Sequence, residues 1–563
     1  MSAPAALFQP LAFDGIAASY HPAAGNVAVL LVGSCGYEQF CMARSWRQFG
    51  ERLAAAGFPT LRYDHPGQGD SLDPQPLTLE HWNTALIAAA HQLMRHSGAG
   101  RLVLIGHGIG ATLALDNLPH LHGVAGLVAM APVVQGRVWL RELAAWSAMI
   151  GGASEGELSV GGFTLPEDLA IGLRSLDIRD SRPLVPFNLM VAREARPDDA
   201  ALAQAFAKTI PFEGYEGVTR DPTGNQAPFE TYDAVIAELK AAFPQPEPAE
   251  TGPRMLPPAV LSAAEFRETA VRFGANDQLY GILVEPLRPR SRLLTVFVPA
   301  GRDPHIGWSR IAVDHARRLA QAGYPSFRFD VSGNGESLLR AGQDGRELLY
   351  ASDNSDDTAT ALGWLKRHGY DHTLLIGRCS GGYVALHTAA MRAEVKALIM
   401  VNVLRIIWDP TETVELALNA DVRPLALQNR GFTDGNKLKK FLSGEIDRKA
   451  ALCKAVRLIW RKMPAWPWSG AQRRLRQGRA LFHALSERQA NVTFVSAEED
   501  GSLDRFAELF GPEGKQLSAY PGLSFERLIG SDHNLNQQAA RDTLFAILMD
   551  RLVKTETAAS SSA

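Results

Sequence analysis

Ile376-Gly377-Arg378-Cys379-Ser380-Gly381-Gly382 is the stretch of sequence that decides the fold of this chain. It follows the apolar run 373–375 and precedes a run that favours a helix over 383–391. A buried strand, then Gly-x-nucleophile-x-Gly, then a helix predicts a nucleophile elbow, a sharp turn that exposes its middle side chain. The flanking glycines fit this turn because side chains there would collide with the strand and the helix. Cys379 is therefore the candidate nucleophile, and the alternative is an ordinary buried cysteine.

The composition is that of a globular protein with several domains. A chain of 563 residues is too long for one core, and its length predicts three or four domains or two large ones. The four cysteines lie far apart without a CxxC pair, so we expect no disulfide framework, no metal and no cofactor. The first 14 residues lack a signal-peptide pattern, and no run of about 20 apolar residues occurs. These features predict a cytoplasmic protein without a membrane span.

The second half of the chain repeats the first. Three segments return: 52–64 as 318–330, 67–71 as 333–337, and 104–110 as 375–381. The first two pairs are offset by 266 residues and the third by 271, because a loop between them differs in length. Repetition at this distance predicts duplicated domains, since solenoids repeat every 20 to about 50 residues. The proline-rich segment 243–259 is the predicted linker, between domains at 1–242 and 260–563.

Each repeat alternates strands with helices of ten or more residues. This order predicts an α/β domain whose mostly parallel sheet is flanked by helices. Both repeats also carry Arg-aromatic-Asp-x-x-Gly-x-Gly-x-Ser between the second strand and the elbow strand, at 62–71 and 328–337. With these motifs the chain resembles two tandem α/β-hydrolase domains. The resemblance implies a helical lid in the second domain, at about 409–488.

The two halves resemble different members of that fold. The first half, with Gly33-Ser34-Cys35-Gly36-Tyr37-Glu38 and Pro132-Val133-Val134-Gln135-Gly136-Arg137, resembles exosortase-system-associated hydrolases, which are encoded near bacterial exopolysaccharide genes. The second half, with Gly-x-Cys-Ser-Gly-Gly at 377–382, is similar to dienelactone hydrolases and polyhydroxyalkanoate synthases. The latter resemblance implies a cysteine nucleophile and covers only the elbow.

The first repeat lacks two parts of a hydrolase site. Gly108 occupies its nucleophile position, so no side chain is available for attack. No histidine occurs between His122 and His305, which leaves the expected base position near 219–226 empty. These two losses predict a catalytically silent domain. The alternative is that His107 or Cys35 supplies some other chemistry.

The second repeat keeps every part. In this fold the nucleophile is followed along the chain by an acid and then a histidine. Asp500 follows the predicted strand 492–496 and is the preferred acid, with Asp504 and Glu499 as alternatives. His533 lies on the loop before the last predicted helix, where the base belongs. An adjacent imidazole converts a thiol to the reactive thiolate, and the acid fixes and stabilises that imidazole.

The same reading predicts an oxyanion hole made of backbone N–H groups. One would come from Ser380, directly after the nucleophile, and one from Gly301 or Arg302 in the loop after the first strand. The predicted activity is cleavage or transfer of an acyl group from an ester or thioester, through an acyl-cysteine intermediate. The alternatives are a dienelactone-type ester or lactone hydrolase, and a non-enzymatic scaffold that binds acyl carriers in polysaccharide or secondary metabolism.

Charge is unevenly distributed along the chain. Residues 1–250 carry 16 Lys and Arg against 26 Asp and Glu, whereas the remainder carries 41 against 34. Segment 437–479 alone holds thirteen basic residues against two acidic ones, with three interleaved tryptophans. It predicts an anionic partner, such as a CoA or carrier-protein phosphopantetheine, a lipid-linked sugar phosphate or a peripheral membrane surface. Docking on the acidic first half is the alternative, nucleic acid is not expected, and the oligomeric state is left open.

Overall fold

The computed structural model describes residues 8–150, 158–194, 196–218, 222–245, 256–340, 349–409 and 470–561. These residues pack into two compact units. Unit 1 is Met1–Arg292 with Gly301–Asp344, and unit 2 is Leu293–Ala300 with Gly345–Ala563. Most of the predicted lid and most of the basic segment 437–479 lie outside the described residues, which include only 470–479 of that segment. The predicted domain limits at 242 and 260 stay predictions.

The first half of unit 1 alternates strands and helices as predicted. Its strands are β1 (Gln9–Phe13), β2 (Ile16–His21), β3 (Val27–Val32), β4 (Thr60–Tyr63), β5 (Arg101–His107), β6 (Val124–Met130), β7 (Leu158–Val160), β8 (Phe163–Leu165), β9 (Phe187–Ala192) and β10 (Lys208–Pro211). Its helices are α1 (Gly36–Ala55), α2 (Leu79–Ser97), α3 (Ile109–Asp116), α4 (Gly136–Ile150), α5 (Glu167–Ser175), α6 (Pro197–Ala203), α7 (Tyr215–Val218) and α8 (Phe229–Ala242).

These strands form an eight-stranded sheet in the order β1-β2-β4-β3-β5-β6-β9-β10, with β7 and β8 as a separate pair. The sheet is antiparallel at β1, β2 and β4 and parallel from β4 to β10. All six residues of β3 are buried because helices cover both faces. Val27, Val29 and Leu31 pack with α1 and α8, whereas Ala28, Leu30 and Val32 pack with α2 and α3. The predicted α/β architecture is confirmed here.

The chain continues through the second repeat. Its elements are β11 (Val260–Ser262), β12 (Phe266–Phe273), β13 (Leu279–Pro286), β14 (Leu294–Val298), α9 (Ile311–Gln321), β15 (Ser326–Asp330), α10 (Ser352–Arg367), β16 (Thr373–Arg378), α11 (Ser380–Met391), β17 (Val395–Val401), α12 (Gly470–Glu487), β18 (Asn491–Ala497), α13 (Ser502–Phe510), β19 (Leu523–Leu528) and α14 (Gln538–Ser561).

The units divide these elements between them. Unit 1 contains β11, β12, β13 and β15, which neighbour one another in that order and run antiparallel. Unit 2 contains β14, β16, β17, β18 and β19, which are parallel and also adjacent in that order. Because these five strands run in the same direction, their carboxyl ends meet at one edge of the sheet. This edge carries the loops that hold Cys379, Asp500 and His533.

Within unit 1, the repeated motif pairs with its own duplicate. The guanidinium of Arg62 donates to both oxygens of Glu336, at 2.9 and 2.7 Å. Arg328, which lies 266 residues after Arg62, donates in turn to Asp70, which lies 266 residues before Glu336, at 2.9 Å. Arg62 corresponds to Arg328 and Asp70 to Glu336, so one ion pair occurs twice with the repeats exchanged. We call these two contacts the reciprocal bridges.

The second reciprocal bridge belongs to a larger buried charge cluster. His305 lies between two carboxylates, with Nδ1 2.8 Å from Asp330 and Nε2 2.7 Å from Asp70. Burial alone would lower the pKa of His305, but these carboxylates outweigh it and raise that pKa well above its ordinary value. Both ring nitrogens therefore carry protons and donate. Glu268 is 2% exposed and accepts hydrogen bonds from Arg328 and Arg317.

Candidate active site

The elbow at Cys379 has the sharp geometry that its sequence predicts. Cys379 lies between β16 and α11 with φ +52° and ψ −122°, a conformation that side chains rarely adopt. Its N–H donates to Val401 O at 2.8 Å, which ties the turn to the end of β17. A Cβ on Gly381 would lie 2.6 Å from Val298 O and 2.7 Å from Pro299 O. The glycine is thus required by the close passage of β14.

The structure brings the three predicted side chains together. His533 Nδ1 is 2.5 Å from Asp500 Oδ2, and His533 also forms a side-chain hydrogen bond with Cys379. Asp500 is fully buried, and its other oxygen accepts the Ser502 N–H at 2.8 Å. Of the alternative acids, Glu499 is exposed, and Asp504 lies in the first turn of α13. Asp500 is the acid whose carboxylate contacts His533.

These contacts set the protonation of the pair. Burial alone would raise the pKa of the Cys379 thiol, but His533, then Arg378 and the Ser380 N–H, hold that pKa below its ordinary value. Burial alone would lower the pKa of His533, whereas the Cys379 sulfur and the Asp500 carboxylate raise that pKa to about 10. The arrangement therefore shifts the pair toward thiolate and imidazolium.

The predicted oxyanion donors fall in different units. The Ser380 N–H donates to the Cys379 sulfur, so it faces the atom that would carry the acyl group. Gly301 and Arg302 follow β14 along the chain but belong to unit 1. Their participation stays a prediction.

The contacts of two residues beside the site, Arg378 and Asn402, were not predicted from the sequence. Arg378, one residue before the cysteine, donates to Asn534 Oδ1 at 2.6 Å, one residue after the histidine. Asn402, directly after β17, donates to His533 O and accepts from Ala497 N. The only sequence signal for Asn402 is a polar residue following a buried strand.

The duplicate elbow has the same backbone without the same chemistry. Gly108 has φ +57° and ψ −124°, close to the values of Cys379, and its N–H donates to Met130 O at 3.0 Å. A Cβ there would lie 2.8 Å from Glu38 Oε2 and 3.0 Å from Ser34 Oγ, which hydrogen-bond each other. The space of a nucleophilic side chain is thus filled by Glu38 and Ser34.

Other side chains of the first repeat pair with one another or are disfavoured as nucleophiles. After β9, Arg193 pairs with Asp199 at 2.8 Å, and its guanidinium lies over the Tyr215 ring. Tyr215 opens the helix α7 that follows β10. Burial and the charge of Glu38 raise the pKa of the Cys35 thiol, which disfavours its thiolate. Residues 219–221, at the predicted base position, lie outside the described ranges.

Residues 28–275 match the model of the alpha/beta hydrolase family. The chain has the α/β-hydrolase fold, which confirms the predicted class of mostly parallel sheets flanked by helices. The tandem arrangement and the helical lid stay predictions. The matched range includes Gly108 but not Cys379, so the interpretation of Cys379 as a nucleophile depends on the geometry of its own elbow. No curated protein matches the chain.

Several solved structures are similar to parts of the chain. A proline iminopeptidase from Mycobacterium smegmatis is 13% identical and covers 52% of this chain and 99% of its own, with a TM-score of 0.32. A dienelactone hydrolase from Anabaena variabilis is 13% identical over 51% of this chain and 96% of its own, with a TM-score of 0.31. Est1E from Butyrivibrio proteoclasticus, with ferulic acid bound, is 17% identical over 41% and 98%, with a TM-score of 0.32.

Within the described ranges, every helix is too short or too polar to cross a bilayer. Among the same residues, no three His, Cys, Asp or Glu side chains are grouped so that they could hold a metal ion.

Proposed function

We propose that this chain is a cysteine-dependent acyl-transfer enzyme, which hydrolyses or transfers the acyl group of an ester or thioester. The observation that carries the proposal is the hydrogen-bonded series Cys379, His533 and Asp500 at the carboxyl edge of a parallel sheet. The lowered pKa of the thiol and the raised pKa of the imidazole support it, because a cysteine nucleophile is activated when a neighbouring imidazole takes its proton.

In the first step the Cys379 thiolate attacks the carbonyl carbon of the substrate. The carbonyl oxygen takes the negative charge next to the Ser380 N–H. An N–H of Gly301 or Arg302 is the second donor that the sequence predicts. The C–O or C–S bond of the substrate then breaks, and His533 gives its proton to the departing alcohol or thiol. The acyl group remains on Cys379 as a thioester, while Asp500 orients the now neutral imidazole.

In the second step the neutral His533 acts as a base. It takes a proton from water, or from an acceptor alcohol or amine, whose oxygen or nitrogen attacks the thioester carbonyl. The thiolate leaves, and His533 is again an imidazolium. Water gives hydrolysis and another acceptor gives transfer, so the exclusion of water decides between the two outcomes.

The proposal is tested with p-nitrophenyl butyrate and an acyl-CoA as model substrates. We expect Cys379→Ala and His533→Ala each to lower kcat by at least about 10³-fold, because the attacking atom or its proton relay is removed. Asp500→Asn should lower kcat less, because the thiol and imidazole remain in contact. Full activity in Cys379→Ala would exclude the mechanism.

Mass spectrometry separates an enzyme from a binding scaffold. An activated ester should leave one acyl group on the peptide that contains Cys379, and the adduct should accumulate in His533→Ala only slowly. A scaffold would give no adduct on that peptide. Competition between water and added amine or alcohol then separates hydrolysis of the dienelactone type from acyl transfer.

We further propose that the first repeat is a catalytically silent partner of the second. Gly108, with Glu38 and Ser34 filling the space beside it, supports this role. We propose that the acyl donor is linked to CoA or a carrier protein, because the basic segment 437–479 is suited to a phosphate.

A further inference from the structure

We propose that Asn402 is a positioning residue that keeps His533 within reach of Cys379. It would do so by holding the loop that carries His533, here called the base loop, against β18, the strand that precedes Asp500, here called the acid strand. The inference rests on the proposed function and extends it by one residue. Asn402 is fully buried and lies directly after β17, the strand whose last carbonyl accepts the Cys379 N–H. It is therefore connected to the elbow through one peptide bond.

The side chain of Asn402 joins the other two parts of the site. Its Oδ1 accepts the N–H of Ala497, the last residue of β18, at 2.7 Å. Its Nδ2 donates to the carbonyl of His533 at 2.9 Å and to that of Asp532 at 3.3 Å. Asp500 lies three residues after Ala497. One amide thus fixes the separation between the acid strand and the base loop.

The duplicate repeat shows which features of this position are structural. Ala131 lies 271 residues before Asn402, the same offset that relates Gly108 to Cys379. Its φ is +45° against +51° for Asn402, and its N–H donates to Val191 O as that of Asn402 donates to Val495 O. The backbone of the position is thus the same in both repeats. The bridging amide occurs in the repeat that keeps the nucleophile.

A role in catalysis explains the difference between Asn402 and Ala131 better than a requirement of the backbone turn does. Asparagine tolerates a positive φ more readily than alanine, but the first repeat adopts this conformation with alanine. The backbone turn therefore does not need an amide. What the amide adds is three hydrogen bonds, one to Ala497 at the end of β18 and two to Asp532 and His533. Such contacts preorganise a catalytic pair at little cost during the reaction.

The test compares Asn402→Ala and Asn402→Gly. Both remove the amide, but glycine also removes the strain of the positive φ, so an equal effect assigns the loss to the side chain. We expect kcat to fall about 10²-fold in both variants, with KM nearly unchanged, because misplacement of a catalytic group by about 1 Å has that effect. Ala131→Gly is the matched control and should leave kcat unchanged.

A second readout separates positioning from stability. The pH midpoint for alkylation of Cys379 by iodoacetamide should move upward in both Asn402 variants, because a displaced imidazolium stabilises the thiolate less. A kcat within twofold of wild type together with an unchanged midpoint would overturn the proposal. If Cys379→Ala remained active, the proposed function would fail; if only the Asn402 variants remained active, this inference alone would fail.

Discussion

Cys379 combines a strained backbone with a stabilised thiolate. Its φ is positive, and the charge of His533 together with the hydrogen bond between the two side chains lowers the thiol pKa although Cys379 is buried. Cys35 has the opposite balance, because burial and the charge of Glu38 both raise its thiol pKa. Neighbouring groups thus lower the thiol pKa at one cysteine and raise it at the other.

This difference in thiol pKa predicts that alkylation at neutral pH is selective for Cys379. At pH 7, below the free thiol pKa of about 8.5, iodoacetamide should alkylate Cys379 much faster than Cys35. Peptide mass spectrometry of one digest measures both rates under identical conditions. Similar slow rates at the two cysteines would contradict the thiolate assignment.

Catalysis should have an alkaline limit set by His533. The imidazolium exists below its pKa of about 10 and is lost as the pH rises through that value. Because this proton is needed by the leaving group, kcat/KM should fall above about pH 10. A pH–rate profile with the activated ester, whose leaving group needs little protonation, should show a weaker decline than one with an acyl-CoA. Equal profiles would contradict this role of His533.

At the scale of elements, the elbow depends on close contact between β16, α11 and the end of β14. A Cβ added at Gly377 or Gly381 would lie within 3.0 Å of backbone atoms, which cannot turn aside as a flexible side chain can. Helix α10 offers the contrasting case of a glycine in open space. At Gly363, an added Cβ would meet only Arg367 Nη1, at 3.8 Å.

Two alanine substitutions therefore should have opposite effects on stability. Gly381→Ala should lower the free energy of unfolding by about 1–3 kcal/mol, because its Cβ meets backbone oxygens. Gly363→Ala, in a helix interior, should raise it by about 0.5–1 kcal/mol. Urea unfolding of both variants measures the difference. Equal values would mean that the elbow is more loosely packed than its contacts indicate.

Much of the element order and the site followed from the sequence because it depends on local patterns. The elbow, the strand before Asp500 and the loop at His533 each lie in a short stretch with its own periodicity and turn residues. Asn402 and the reciprocal bridges did not follow, since their partners are 95 to 274 residues distant along the chain. No local pattern encodes such a distance.

At the scale of the whole molecule, unit 1 contains parts of both repeats. Strands β11 to β13, β15 and helix α9 come from the second repeat but pack in the same unit as the first. Arg328 is fully buried there, and its partner Asp70 comes from the first repeat. Removal of residues 1–259 would leave Arg328 and His305 without this carboxylate.

The charge cluster predicts a large effect of a small substitution. Asp70→Asn should lower the free energy of unfolding by about 3–5 kcal/mol, because buried cations lose a charged partner. Asp177→Asn is the control, since its ion pair with Arg179 is exposed and should contribute little. Denaturant titration measures both.

The fragment 260–563 should accordingly be insoluble or inactive, and an active soluble fragment would contradict this role of the first repeat.

The reciprocal bridges also limit which amino-acid substitutions the two repeats can accept independently. A bridge that occurs twice with the repeats exchanged is what two identical chains form around a two-fold axis, where one favourable pair is always made twice. Fusion of two such chains would free one site to lose its nucleophile while both bridges stayed under selection. We expect substitutions at Arg62 to be accompanied by changes at Glu336, so the first repeat should diverge slowest at the residues that form the reciprocal bridges.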